Sequence, residues 1–394
     1  MKELVDRQSM RLSLALLQAS PFCNIDCKYC YLPNRSSVHR MSNEVLEQSL
    51  RFLMREKPGL LDDDANLIFH CGEPLSVPID FYRRAFDSLE KMNTGPSAIP
   101  VRFSTNGTLI DQEWCDLINE RGYIRMRVSI DGPQWLHDSN RVTRQQRGTF
   151  PEVMRGINLL RSNGIPFDVL CVLTREALQV PEELWAFLSN LGAKGVGFCI
   201  EEVLGEHKAS SLEFAASCEQ VRNFFRVWMK LRDKEAPELY VREVDQLLEW
   251  IPQRYKQKGF FVRSDNVPFS LITISWDGNI CLFSPELLNA TSPYYGDFVF
   301  GNVATHSVED ILASSKFQAA YRQIYHGVRQ CGRECKYFPT CGGGFPVNKL
   351  LENGTFRSTE TLTCRLRVQA ITDVVMEHLG SDATQLAIDA STTA

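Results

Sequence analysis

Seven of the chain's 13 cysteines fall in two tight groups, and their spacing limits the chemistry they can do. Cys23, Cys27 and Cys30 form a CxxxCxxC run, while Cys331, Cys335, Cys341 and Cys364 gather near the C-terminus. An odd cysteine count without a secretion signal argues against a disulfide framework, leaving metal ligation or apolar burial. Three thiolates at the first spacing can hold three irons of a 4Fe–4S cube, with the fourth iron open to a substrate. Zinc prefers four ligands and would have to recruit Asp26 or His39. The second group supplies four thiolates, which suit a closed cluster or tetrahedral zinc equally well. Gly342, Gly343 and Gly344 follow Cys341 directly and would let backbone approach the sulfurs. Cys115, Cys171, Cys199 and Cys218 read as buried core thiols.

Such loops need a scaffold, and between residues 11 and 202 one unit recurs: a β-rich run, a polar turn, then an amphipathic helix. The pattern predicts strands at 12–18, 66–71, 100–105, 125–131, 167–173 and 195–200. Ser42 can cap a helix carrying Leu46, Leu50, Leu53 and Met54 at helical spacing. Asp111 can cap another, with Trp114, Leu117 and Ile118 inward and Gly122 just past its end. A third helix is predicted over 151–164. Alternating strands and helices imply parallel βαβ units with right-handed crossovers. The polar motifs follow successive strands: the first cysteine run, Cys71-Gly72-Glu73-Pro74, Ser104-Thr105-Asn106-Gly107, Ser129-Ile130-Asp131-Gly132 and Glu201-Glu202. In a parallel barrel these loops converge on one face, where ligands bind. The expected fold is therefore α/β, a partial (β/α)6 TIM-type barrel open to a large substrate. On that face the Gly72-Glu73-Pro74 backbone can receive an amino group, and Ser129 with Arg141 can hold a carboxylate. An amino acid chelating a bare iron fits those groups.

The 394 residues are 44% hydrophobic and 23% charged, an ordinary globular balance that needs no disulfide staples. A net charge of −5 argues against nucleic-acid binding through a general basic field. No apolar run is long enough for a membrane span and no signal peptide is evident, so a cytoplasmic protein is expected. The expected organisation is a barrel over 1–205, a helical connector over 206–258, a cluster-binding α+β region over 259–380 and a disordered tail over 381–394. Phe214, Val221, Phe224, Phe225 and Trp228 form one apolar stripe in the connector; Val244, Leu247, Leu248 and Ile251 form another. Packing against the barrel is the expected role of both stripes, in preference to peptide docking.

Taken together, the CxxxCxxC loop with Tyr29 before its last cysteine, the Cys71-Gly-Glu-Pro turn, and Ser129-Ile-Asp-Gly with His137, Asp138 and Arg141 resemble radical S-adenosylmethionine enzymes. The likeness is closest to the peptide-modifying branch with a C-terminal SPASM or twitch region, and runs from about Leu12 to Glu377. It implies that Cys23, Cys27 and Cys30 hold a 4Fe–4S cluster that reductively cleaves S-adenosylmethionine, releasing a hydrogen-abstracting radical. It also implies that the Tyr29 backbone contacts adenine, Gly72 and Glu73 hold the methionine amine, Ser129 and Arg141 hold its carboxylate, and Asn106 lines the pocket. Cys71 stands where many members have Gly, and reads as structural. The resemblance favours iron over zinc at Cys331, Cys335, Cys341 and Cys364. Cys281 matches one ligand of a further SPASM cluster, but Phe345 stands where another cysteine is expected, so one auxiliary cluster is predicted.

Sulfatase-maturing relatives carry an Asp base after the cysteine matching Cys281, where this chain has Leu282; Glu286 and Asp297 are the remaining base candidates. Cys30-Tyr-Leu-Pro-Asn-Arg35, Phe283-Ser-Pro-Glu-Leu-Leu288, Gly296–Asn302 and Glu352–Phe356 with Thr359-Glu-Thr are similar to the GrrM/OscB group. Those maturases install three-residue cyclophanes in ribosomally made precursor peptides. The likeness implies an aromatic ring carbon joined to a Cβ, an external flavodoxin- or ferredoxin-type electron donor, and an auxiliary cluster accepting one electron. Leader recognition is expected to use this body or a separate leader-binding protein. Thioether formation, epimerisation and sulfatase-type maturation are the alternatives within the class, and a zinc-stabilised binding scaffold is the alternative outside it.

Overall fold

The computed structural model describes residues 12–55, 66–93, 95, 98–256, 261–288 and 290–380, so the predicted tail lies outside the described residues. Each predicted barrel strand is present: β1 Leu14–Leu17, β2 Asn66–Phe69, β3 Val101–Thr105, β4 Ile124–Ser129, β5 Phe167–Leu173 and β6 Gly195–Ile200. All five neighbouring pairs from β1 to β6 are parallel. The two-residue period divides each strand between environments. On β5, Phe167, Val169, Cys171 and Leu173 are buried, while Asp168, Leu170 and Val172 on the other face are half-buried.

The helices between strands begin and end where their capping residues dictate. Ser42 Oγ accepts from Val45 N at 3.1 Å, and Asp111 Oδ1 accepts from Trp114 N at 3.0 Å. Gly122 ends the second of these helices in the left-handed region, φ 68°, where a side chain would be strained. Tyr82 sits between Phe69, Phe103 and Trp114 with ring centroids 4.9–5.3 Å apart and no exposure. Truncating such a ring costs about 3–5 kcal/mol. The first connector stripe is likewise core: Phe224, Phe225 and Trp228 of helix Ser217–Glu235 lie 5.2, 5.8 and 4.7 Å from Phe198 of β6. The connector is not wholly helical, because β7, Tyr240–Val241, adds a parallel strand beside β6.

Apart from one two-stranded ribbon, the strands of the C-terminal region join the barrel sheet. β8 (Leu271–Ile274) pairs in parallel with β1, from Leu14↔Leu271 to Leu17↔Ile274. β9 (Asn279–Leu282) returns antiparallel to β8. β10 (Thr291–Ser292) and β11 (Gly296–Asp297) pair only with each other, and β12 (Gly301–Asn302) lies against β9. The result is one ten-stranded sheet, β12-β9-β8-β1-β2-β3-β4-β5-β6-β7. The strand that launches the first cysteine loop is thus held on both sides. No helix among the described residues is long and apolar enough to cross a membrane.

Candidate active site

The first cysteine loop leaves β1 with no regular structure and is tied down by backbone bonds instead. Cys23 N donates to Arg35 O at 2.9 Å, Asp26 N to Val142 O at 2.7 Å and Lys28 N to Asn140 O at 3.0 Å. Arg144 reaches from the far side to the carbonyls of Cys23 and Arg35. The loop bonds to the turn after β2 through Glu73 N and Phe22 O, 2.7 Å apart. Gly72 makes that approach possible: its φ is 144°, and a Cβ there would lie 2.2 Å from Ser20 O. Cys71, also left-handed at φ 67°, is fully buried, in keeping with a structural role.

These loops enclose a cavity of about 260 Å³. Cys23, Cys27, Cys30, Tyr29, Gly72, Glu73, Asn106, Ser129 and Arg141 all line it, so one chamber gathers every residue expected to hold the first cluster and its cofactor. Burial pushes the Cys27 thiol up to about 12 despite the Arg141 guanidinium beside it. Burial, then the Glu73 carboxylate, raises Cys23 further still. The Glu73 side chain is fully engaged, accepting from Thr105 Oγ1 (2.7 Å), Asn106 N (2.8 Å) and Leu75 N (3.0 Å), and burial lifts it to about 7. It fastens the β2 turn to the end of β3. Asn106 continues that link, donating to Asn24 Oδ1 at 2.8 Å with the Cys23 sulfur 3.8 Å away.

Asp131 is the residue that sequence reasoning left without a role. Its carboxylate accepts from Arg141 Nε (3.0 Å), Val172 N (3.0 Å) and the Tyr29 hydroxyl. Burial opposes the Arg141 charge most strongly, but Asp131, Tyr29 and Cys27 together outweigh it and hold the guanidinium protonated, with Nη1 3.8 Å from the Cys27 sulfur. The Asp lay in view within Ser129-Ile-Asp-Gly; only its partners were hidden.

The two base candidates part company. Glu286 lines the cavity, and burial raises its carboxyl although Ser284 donates to it. Asp297 lies outside the cavity, exposed and paired with Lys316, which holds it below the usual carboxylate range. Glu201 and Glu202 of the expected strand-end pair line the wall too, joined by the unforeseen Tyr31, His70 and Arg367 and by Cys199, which was expected in the core. Burial raises Glu202, with Arg367 3.4 Å away opposing the shift. Arg367 reaches the chamber from a π turn, Cys364–Gln369, in the last helix. That irregular turn has no periodic signature in the sequence.

Cys331 lies in the last turn of a long helix, Ser315–Glu334, and Cys335 caps it; Cys341 closes the short turn Phe338–Cys341, and Cys364 opens the π turn. Gly342, Gly343 and Gly344 all take positive φ, and Gly344 N lies 3.1 Å from the Cys341 sulfur, as the triple glycine suggested. Lys349, 2% exposed, places Nζ 3.2 Å from the Cys331 sulfur. Phe345, which stands where a further cysteine was expected, lies between the Arg263 and Arg367 guanidiniums at 4.1 and 4.4 Å. Cys281 is buried, with its sulfur against the Ser284 carbonyl. Among the described residues no three His, Cys, Asp or Glu side chains converge tightly enough for a single metal ion. A cluster spreads its ligands more widely. The buried Lys349 ammonium beside Cys331 requires an anionic partner, which a thiolate-bound iron–sulfur cluster would supply, whereas Arg141 beside Cys27 already has one in Asp131.

Residues 17–188 match the Radical SAM superfamily, and residues 266–341 match the SPASM iron–sulfur cluster-binding domain. An uncharacterized protein of Synechocystis, sll1766, is 38% identical over 93% of this chain and 92% of its own length. The serine-type anaerobic sulfatase-maturating enzyme of Bacteroides thetaiotaomicron is 25% identical over 83% of this chain and 80% of its own. In fold, the chain is similar to native anSMEcpe with bound AdoMet (TM-score 0.76, 20% identity, 95% of this chain and 100% of that one). It is also similar to Streptococcus suis SuiB bound to its precursor peptide SuiA (TM-score 0.65, 15% identity, 90% and 76%).

Proposed function

Because this chain belongs to the radical SAM superfamily and carries a SPASM domain, with the 4Fe–4S clusters and S-adenosylmethionine those domains entail, we propose that it matures a ribosomally made peptide by carbon–carbon crosslinking. The observation that carries this reading is the composition of one chamber. Cofactor-binding residues of the barrel share it with Glu286 and Arg367 from the C-terminal region. Peptide-modifying relatives support the substrate class: the sulfatase-maturating enzymes are similar in sequence, and SuiB, bound to SuiA, is similar in fold. The quoted GrrM/OscB segments support the narrower product, a three-residue cyclophane joining an aromatic ring carbon to a Cβ.

Cys23, Cys27 and Cys30 would hold the first cluster, and Cys331, Cys335, Cys341 and Cys364 one auxiliary cluster. When bound, the first supplies reductive cleavage of S-adenosylmethionine to a hydrogen-abstracting radical, and the second supplies an acceptor for one electron. The protein's own groups do the rest. The Gly72–Glu73 backbone, Ser129 and Arg141 orient the methionine end, and Asp131 fixes the Arg141 fork. Once a Cβ radical has added to the ring, rearomatisation releases one proton and one electron. Glu286, whose carboxyl burial raises above the usual carboxylate range, takes that proton, with Glu202 and Arg367 on the same wall. An external flavodoxin- or ferredoxin-type donor supplies the initiating electron.

Sulfatase-type maturation is the second reading, favoured by the sequence likeness and opposed by Leu282 after Cys281. The crosslink and serine-type maturation, CH2OH to CHO, both remove two hydrogens. Anaerobic reaction with a short precursor peptide containing aromatic residues, followed by tandem mass spectrometry and a hydrazine probe, separates them. Missing backbone fragments between two residues support the crosslink; a hydrazine-reactive aldehyde overturns it.

A further inference from the structure

The two thiol groups sit in opposite electrostatic surroundings. In the first, Cys23 faces the Glu73 carboxylate, and the nearby cations Arg141 and Arg35 are each already paired, with Asp131 and Asp26. In the second, Lys349 points Nζ at the Cys331 sulfur from 3.2 Å, and no carboxylate among the described residues lies within ion-pair distance of it. Its stem is buried by design of the surrounding backbone. A Cβ on Gly327 would meet Lys349 Nζ at 3.3 Å and Phe356 O at 2.3 Å, and one on Gly344 would lie 3.6 Å from Lys349 Cε. Gly344 N adds a neutral donor to the Cys341 sulfur, and the Arg263 guanidinium near that thiol is shared with Asp265 at 2.7 Å. A buried ammonium with a sulfur for a partner is costly unless that sulfur is anionic. Hydrogen bonds and charge at the ligand sulfurs set cluster potentials.

We propose that Lys349 sets the reduction potential of the auxiliary cluster, favouring its more reduced form through a charged hydrogen bond to the Cys331 sulfur. Four thiolates on a 2+ cube carry a net charge of 2−, and one added electron makes it 3−; a fixed positive charge stabilises the second state more than the first. The change is a one-electron reduction in which no bond is made or broken. The cations at the site that must surrender an electron are thus each paired with an aspartate, whereas Lys349 at the site that must receive one has a ligand sulfur as its partner. This inference rests on the assignment of the four thiols as cluster ligands, and its readout does not depend on the peptide product.

The test is a dye-mediated redox titration followed by electron paramagnetic resonance, on the full-length chain carrying Cys23→Ala, Cys27→Ala and Cys30→Ala. Lys349→Met is expected to shift the oxidised-to-reduced ratio at fixed potential about tenfold toward oxidised, about 59 mV for a one-electron couple. Lys349→Arg, which keeps the charge, is expected to stay close to the parent. Where the Met variant loses iron, Lys349→Gln replaces it with the same expectation. An unchanged potential in the neutral variant overturns the proposal. So does loss of iron from all three variants, which would make Lys349 an assembly residue. A parent site holding zinc overturns both the proposal and the ligand assignment, whereas an unmodified peptide overturns only the crosslinking reading.

Discussion

Arg141 and Asp131 form a buried ion pair at 3.0 Å, only 6% and 2% exposed, that joins the Ser129-Ile-Asp-Gly turn to the first cysteine loop. Breaking a buried pair by removing one partner typically costs about 3–5 kcal/mol. Asp131→Ala should lower the melting temperature of the cluster-free chain. It should also weaken S-adenosylmethionine binding by roughly tenfold or more, about 1.4 kcal/mol. Equilibrium dialysis of the reconstituted variant reads the second effect, and wild-type affinity would contradict the orienting role of Asp131.

The two cysteine groups should fail differently. Cys23→Ala is expected to abolish formation of 5′-deoxyadenosine. Cys335→Ala should keep that cleavage, uncoupled from substrate, and lose the peptide product. Chromatography of both products checks the split; normal peptide modification by the Cys335 variant would rule out the acceptor role.

Glu286→Gln keeps the shape and hydrogen-bonding capacity of the side chain but cannot take a proton. Cofactor cleavage should persist while crosslinked peptide falls by about two orders of magnitude, the low end for a positioned base. Asp297→Asn, on the exposed pair with Lys316, should leave both unchanged.

His137 is 1% exposed, bonds Thr149 Oγ1 through Nε2 at 3.0 Å, and is held neutral by burial down to about pH 4, from an ordinary 6.5. The unfolded chain therefore binds a proton that the folded chain refuses between those values. The stability His137 contributes is complete above pH 6.5 and is lost as pH falls toward 4, by about 3 kcal/mol. Urea titrations at pH 7 and pH 4.5 should show this loss, and His137→Gln should flatten it.

The barrel was legible because its strands and helices carry distinct periods and local caps. Ser42, Asp111 and Gly122 act through neighbours three or four residues away, so sequence alone displays them. Every expected cofactor-pocket residue lines the chamber because strand ends in a parallel barrel leave little choice of direction. Long-range pairings were hidden. Asp131 finds Tyr29 102 residues away, Lys349 finds Cys331 on another helix, and Arg367 enters through a π turn. Glu286 and Asp297 look alike in sequence, and only packing sends one into the cavity and leaves the other on the surface.

The pairing of β8 with β1 also dictates when the protein can be finished. Leu14 meets Leu271 across most of the chain, so during synthesis the strand beneath the first cysteine loop waits with a bare edge until residue 271 has left the ribosome. An unpaired edge invites association with other chains. A chimera that exchanges that region to change peptide choice must carry a strand matched to Leu14–Leu17, or the barrel itself will aggregate.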